Sequence, residues 1–506
     1  MTLDTLITEY LDGLATVYYF RQCAVIIAVF IFGAILTDSF SGKGLSAPKR
    51  CVLAFPVGIS AFTLTAYAMI VAGIPYNRIS VSLAVILEIA VVITVKRKSF
   101  AASAFSQYVR HMAFALAAAV AAALLASSGL APVSISNDTM YYFRRYPDAI
   151  VYYGGLRDQF DFFMTDTGLG VVSIDTLPAL FGFGESFGIR EFFHIGFTAF
   201  FGMTVYERGL RYLSRKGSVI SAVLITSVLA VSTPFVILGH WALANMYFME
   251  LFFIAAYATI DNEQTGMIND ALMIAALALF RIEGTLFVVW LAVCLALYTG
   301  RSKEIAKYVI LPVSILFGCY CIRIYTCYNI LDNQYTFLTP VKAVLLVGLI
   351  VVCGLYLLFI FPRLNSMFGM KMSVIYIAAM VLGNLLLFIR DRSLYIGNLK
   401  AFGSNLFRQS GWGMLPYLLI AMTLLLVAES AIYRYKNKES RPLGSSNSFN
   451  IVMVLGFILI VLAASYGRGD VLSEEVGDSG NRVLLQIVPL LAMTYGELFI
   501  RMYSLL

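Results

Sequence analysis

Four groups of residues in this 506-residue chain have types and spacings that can do chemistry. The first is the run Ser136 to Tyr146, with Asn137, Asp138, Tyr141, Tyr142 and Arg145 inside it. A carboxylate such as Asp138 among aromatic rings can take a proton from a hydroxyl; the same residue type also suits the N-cap of a helix starting at Thr139. The second is Arg281-Ile282-Glu283-Gly284. Its two charges stand at i, i+2 and do not share a helix face, so they can address different groups or form a solvated pair at a turn. The third is Arg390-Asp391-Arg392, followed by Lys400 and Arg408. The fourth runs from Arg468 to Gly480-Asn481-Arg482 and opens the final apolar run. An arginine at that place can grip a phosphate with a two-point fork, or act as an interfacial anchor whose charged head reaches water.

The elements that position these groups are membrane spans. Of the chain, 60% is hydrophobic and 13% charged, against about 45–50% apolar and 25% charged in soluble domains. Runs near the 20 residues a bilayer helix needs fall at 22–38, 51–73, 79–95, 111–131, 191–205, 217–239, 243–260, 267–280, 284–299, 308–326, 341–361, 372–389, 412–430, 450–466 and 483–500. The expected fold is therefore all-α, a polytopic transmembrane bundle of about 13–15 spans. It divides into N-terminal spans (1–131), a long loop (132–190) and a remaining bundle (191–506) with polar loops at 390–411 and 467–482.

Placing residue 1 outside puts 21 of the 36 Lys and Arg in inside loops, which decides the orientation by the positive-inside rule. All four groups then face outside. The acidic loop Asp261 to Asp270 falls inside and breaks the charge pattern. The net charge of +7 follows from topology, and no motif points to nucleic acid. The first twenty residues hold Asp4, Glu9 and Asp12 and no basic residue, unlike a signal peptide. The seven cysteines read as small buried hydrophobes, without zinc spacing.

Taken in order, these motifs resemble the GT-C superfamily of membrane glycosyltransferases. Asn137-Asp138 with Tyr141-Tyr142 and Arg144-Arg145-Tyr146 is similar to the acidic loop of the bacterial arabinosyltransferase-like branch. Arg281-Ile282-Glu283-Gly284 is similar to an Arg-x-Glu-Gly element, and Gly480-Asn481-Arg482 with Pro489 to a late helix start. The chain departs from the pattern in two ways: four spans precede the loop where many members have one, and Asn137 stands where a second acid is common.

The resemblance implies a sugar donor on a polyprenyl phosphate, a glycan, glycolipid or protein acceptor, and extracytoplasmic chemistry at a bacterial plasma membrane. It implies no cofactor and no metal. Asp138 would deprotonate the acceptor. Arg482, with Arg281 or Arg390, would hold the leaving phosphate, and Asp161 and Asp166 would bind acceptor hydroxyls. The rival readings are a lipid-linked glycan polymerase or ligase, a transporter or flippase, and a scaffold without chemistry. The absence of an internal duplication weighs against a transporter.

Overall fold

The computed structural model describes residues 24–42, 45–96, 113, 117, 145–156, 168–181, 187–229, 244–260, 266–282, 284–327, 338–407, 415–437, 445–468 and 483–504. The architecture is an all-α bundle, with no strand among the described residues. Among the described residues, six helices are long and apolar enough to cross a membrane, the length and composition of a membrane protein. It separates into two compact units. Unit one is Met1–Phe197, His240–Val289 and Lys303–Tyr356; unit two is Thr198–Gly239, Trp290–Ser302 and Leu357–Leu506.

Unit one is organised around α2 (Ala47–Ala72). The helix α1 (Ala24–Phe40) precedes it. Arg50 ties the junction, donating to Asp38 and to the Gly42 and Leu45 carbonyls. A proline within the first two positions of α2 suits its start, because the missing N–H has no helical partner there. Gly73 ends it at φ +71, a left-handed turn that favours glycine. The next helix, α3 (Arg78–Val95), is capped by Asn77, which accepts from the Ile79 and Ser80 N–H groups. Glu88, the clearest mid-span charge in the sequence, accepts a 2.6 Å bond from Thr65 and so pins α3 to α2.

The 132–190 loop contributes α4 (Arg145–Tyr153) and α5 (Gly170–Phe181). Then come α6 (Phe187–Gly209), α7 (Arg215–Leu229), α8 (Ala244–Ile260), α9 (Met267–Phe280) and α10 (Gly284–Thr299). A helix α11 runs Ser302–Ile305, through a π-helical turn at Ala306–Ile310, to Leu311–Cys327. Its successor α12 covers Pro340–Leu355, a second π turn at Tyr356–Ile360 and Phe361–Phe368.

Two short helices stack along α2. The start of α9 lies at the end of α1, beside the junction that leads into α2: Asn269 donates to the Thr37 carbonyl and to Ser41. The start of α5 sits on the end of α9, where a Cβ on Gly170 would fall 2.2 Å from the Leu279 oxygen. The far end of α5 reaches the end of α2: the Tyr76 hydroxyl lies 2.6 Å from Thr176, and Arg78 donates to the Leu180 carbonyl. At about 1.5 Å per residue, 14 residues of α9 and 12 of α5 span about 21 and 18 Å, and the 26 of α2 span about 39 Å. The column α9–α5 therefore matches α2 in length, with a break partway along it.

Unit two contains α13 (Lys371–Arg390), α14 (Arg392–Phe407), α15 (Leu415–Asn437), α16 (Ser445–Arg468) and α17 (Val488–Tyr503), the last preceded by a 3-10 turn at Leu485–Ile487. The sequence places a polar loop at 390–411, yet residues 392–407 form α14. Asp391 caps it, accepting from the Leu394 N–H at 3.0 Å. The face Tyr395, Asn398, Ala401, Phe402, Asn405 is buried at helical spacing. Tyr395 donates to Asn384, which in turn donates to the Leu459 carbonyl. The polar residues are thus spent inside the protein. Trp290 lies against Gly456 and donates its indole N–H to the Met453 carbonyl at 3.2 Å.

Candidate functional site

The break in the α9–α5 column is where unit one gathers buried polar groups. The turn Arg281-Ile282 follows α9 and is covered by Gly168, whose Cβ would meet the Ile282 N–H at 3.4 Å. Gly168 has φ +79, a conformation that lets the chain reverse over the turn at no steric cost. Arg281 donates Nη1 to Asn245 Oδ1 at 2.5 Å. Asn245 is buried in the first turn of α8, and its amide nitrogen has no hydrogen-bond partner among the described residues.

Five residues further along α8, about 8 Å deeper at 1.5 Å per residue, Glu250 is 1% exposed. His194 of α6 meets it with Nδ1 2.5 Å from Oε1. The histidine is 30% exposed, so the pair joins a sealed carboxylate to an accessible ring. The acid beside Nδ1 holds the ring orientation. Aromatic contacts between α6 and α8 hold this register: Phe193 with Tyr247 at 5.8 Å and Phe197 with Phe253 at 5.9 Å. Asp175 of α5 and Arg190 of α6 are further buried charges of this unit. Such groups are costly at membrane depth and mark function or a fixed ion network.

A second guanidinium stands at the end of α2. The Arg323 fork of α11 lies 3.3 Å from where a Gly73 Cβ would be, and its buried Nε has no hydrogen-bond partner among the described residues. Two residues further along α11, the Tyr325 hydroxyl donates to the Leu338 carbonyl.

The residues singled out from sequence fall unevenly. Asp138, Asn137, Tyr141, Tyr142, Asp161, Asp166, Glu283 and Arg482 lie outside the described residues. Arg145 opens α4. Arg281 lies beneath the loop-derived α5, not at an open hairpin tip. Arg390 ends α13, exposed, in unit two, whereas Arg281 belongs to unit one. Sequence reasoning missed His194, Glu250, Asn245 and Arg323. The signal was present for all four, since His194 interrupts the apolar run 191–205, Asn245 and Glu250 the run 243–260, and Arg323 the run 308–326.

Among the described residues no group of three or more His, Cys, Asp or Glu is placed to hold a metal ion. Unit two carries a separate buried pair, Arg208 Nη1 to Glu497 Oε2 at 3.1 Å, both 3% exposed. Arg501 is buried on the same helix as Glu497. No protein family, no characterised protein and no solved structure matches the chain.

Proposed function

We propose that the chain is a membrane glycosyltransferase of GT-C type, moving a sugar from a polyprenyl-phosphate donor to a cell-envelope glycan, lipid-linked glycan or protein. In this reading the Gly73 end of unit one is extracytoplasmic, at the bacterial plasma membrane. The observation that carries it is the packing of α5, the second helix of the 132–190 loop, onto the Arg281 turn. The loop that holds Asp138 is thereby rooted beside a guanidinium already oriented by Asn245.

The chemistry is a displacement at the anomeric carbon. The acceptor oxygen loses its proton to Asp138 and bonds to that carbon, while the sugar–phosphate bond breaks and polyprenyl phosphate leaves with the electron pair. The anomeric centre inverts. A fixed guanidinium stabilises the developing charge most where water is excluded, and Arg281 or Arg323 of unit one supplies it. Labelled polyprenyl-phosphate sugar given to membranes holding the protein tests the reading. Transfer should fall at least a hundredfold in Asp138→Asn and in Arg281→Gln. Full transfer in Asp138→Asn removes the base assignment.

One observation favours a second reading, transport of a lipid-linked or anionic solute. A helix column broken partway along its length, with charged groups at the break, is a recurrent transporter arrangement. The same assay separates the two, because a transporter moves label across the membrane without forming a glycosidic bond.

A further inference from the structure

Unit one carries a second feature that the proposed reaction does not use. A cavity of about 370 Å³ lies between α1, α2, α3 and α5, lined by Val25, Val29, Phe62, Val85, Leu177 and Phe181 among others. Its lining is almost wholly apolar, Ser82 being the one polar side chain among the described residues. It is open where Ala24, Ala28 and Ile86 are exposed. The wall formed by α3 is the least covered of the described spans of unit one, since only 11% of its apolar window is buried inside the protein. Exposed Ile79, Leu83 and Leu87 continue along the same helix.

At one end of this groove stands Arg78. It is exposed at the first position of α3, one turn from the lining residues Val81 and Ser82. Its Nε donates to the Leu180 carbonyl, between the lining residues Leu177 and Phe181. Both Nη groups are left uncommitted among the described residues. Leu180 lies in the last turn of α5, whose carbonyl end favours a cation, and this contact holds the guanidinium at that end of the groove. An apolar slot of membrane depth headed by an open guanidinium fork matches an amphiphile with an alkyl chain and a phosphate.

We propose that this groove and Arg78 bind an anionic glycerophospholipid of the surrounding bilayer, one acyl chain in the slot and the phosphate on the Arg78 fork. No residue at the Arg281 break lines the groove, which separates this occupant from the reaction's donor. The lipid would brace α3, which Glu88 otherwise joins to α2.

Native mass spectrometry and thermal unfolding of the full chain in detergent test this, using phosphatidylglycerol and phosphatidylcholine with identical acyl chains. The wild type should retain and be stabilised by phosphatidylglycerol about fivefold more tightly than by phosphatidylcholine, as one interfacial arginine contributes. Arg78→Gln should abolish that preference while still binding either lipid weakly. Val85→Trp, which fills the slot from a lipid-facing helix, should remove both. Equal binding of the two lipids by the wild type, or an undiminished preference in Arg78→Gln, overturns the proposal. So does stabilisation by a polyprenyl phosphate alone, which assigns the groove to the donor. Absence of any sugar transfer by the wild type, with its lipid retention intact, would sink the glycosyltransferase reading and leave this one standing.

Discussion

Gly170 is the point at which the broken column can be tested most directly. A methyl group added there would lie 2.2 Å from the Leu279 oxygen, 2.5 Å from its carbonyl carbon and 2.6 Å from the Phe280 Cα. All three neighbours are backbone, so no side chain can rotate away. Reaching even the shortest tolerated contact requires α5 to move off α9 by about 1 Å, and overpacking of this kind costs about 1–3 kcal/mol. Gly196 of α6 supplies the opposite sign: nothing lies within 4 Å of its Cβ position, so Gly196→Ala should gain up to about 1 kcal/mol from helix propensity. Reversible unfolding of the purified protein in mixed micelles measures both. Gly170→Ala should lose stability and, by displacing the cover over Arg281, also lose activity. If Gly170→Ala is as stable as Gly196→Ala, α5 does not rest on α9 and the assignment of the site to this break is wrong.

Other outcomes follow from the same contacts. Arg208→Ala leaves Glu497 buried without its partner and should cost about 3–5 kcal/mol. Replacing both as Arg208→Met with Glu497→Leu should restore most of that loss in the same unfolding assay. Asn384→Ala removes the acceptor of Tyr395 and the donor to the Leu459 carbonyl, and should cost about 1–3 kcal/mol. The Leu394 N–H, then the Ser393 hydroxyl, hold the Asp391 carboxyl below the ordinary carboxylate value. Its capping contribution is therefore complete above the unfolded value, about 3.9, and fades as pH falls through the lower folded value. Helicity of α14 should decline over that acid range in the wild type, and Asp391→Asn should flatten the decline.

The apolar runs located most of the described helices, though not α4, α5 or α14. The expected spans 267–280 and 284–299 coincide with α9 and end with α10, and 372–389 lies within α13 one residue short at each end. That legibility has a simple cause: in lipid a helix must satisfy its own backbone and present apolar side chains, so composition along the chain records the span. Residues 392–407 were not legible as a helix, because Asn398 and Asn405 look like loop residues until their burial against unit two is seen.

The motif Arg281-Ile282-Glu283-Gly284 marks a turn in the sequence, and nothing in its residues records depth. Its place partway along α2 comes from α5 stacking on α9, a contact between residues more than a hundred apart in the chain. The His194–Glu250 pair and the Arg323–Gly73 contact are likewise products of long-range packing. By itself the sequence determined an all-helical membrane chain and where most of its helices run, because both follow from local hydrophobicity and backbone satisfaction. Only the tertiary structure decided which charges meet and which are covered, because those depend on how helices distant in sequence come to lie side by side.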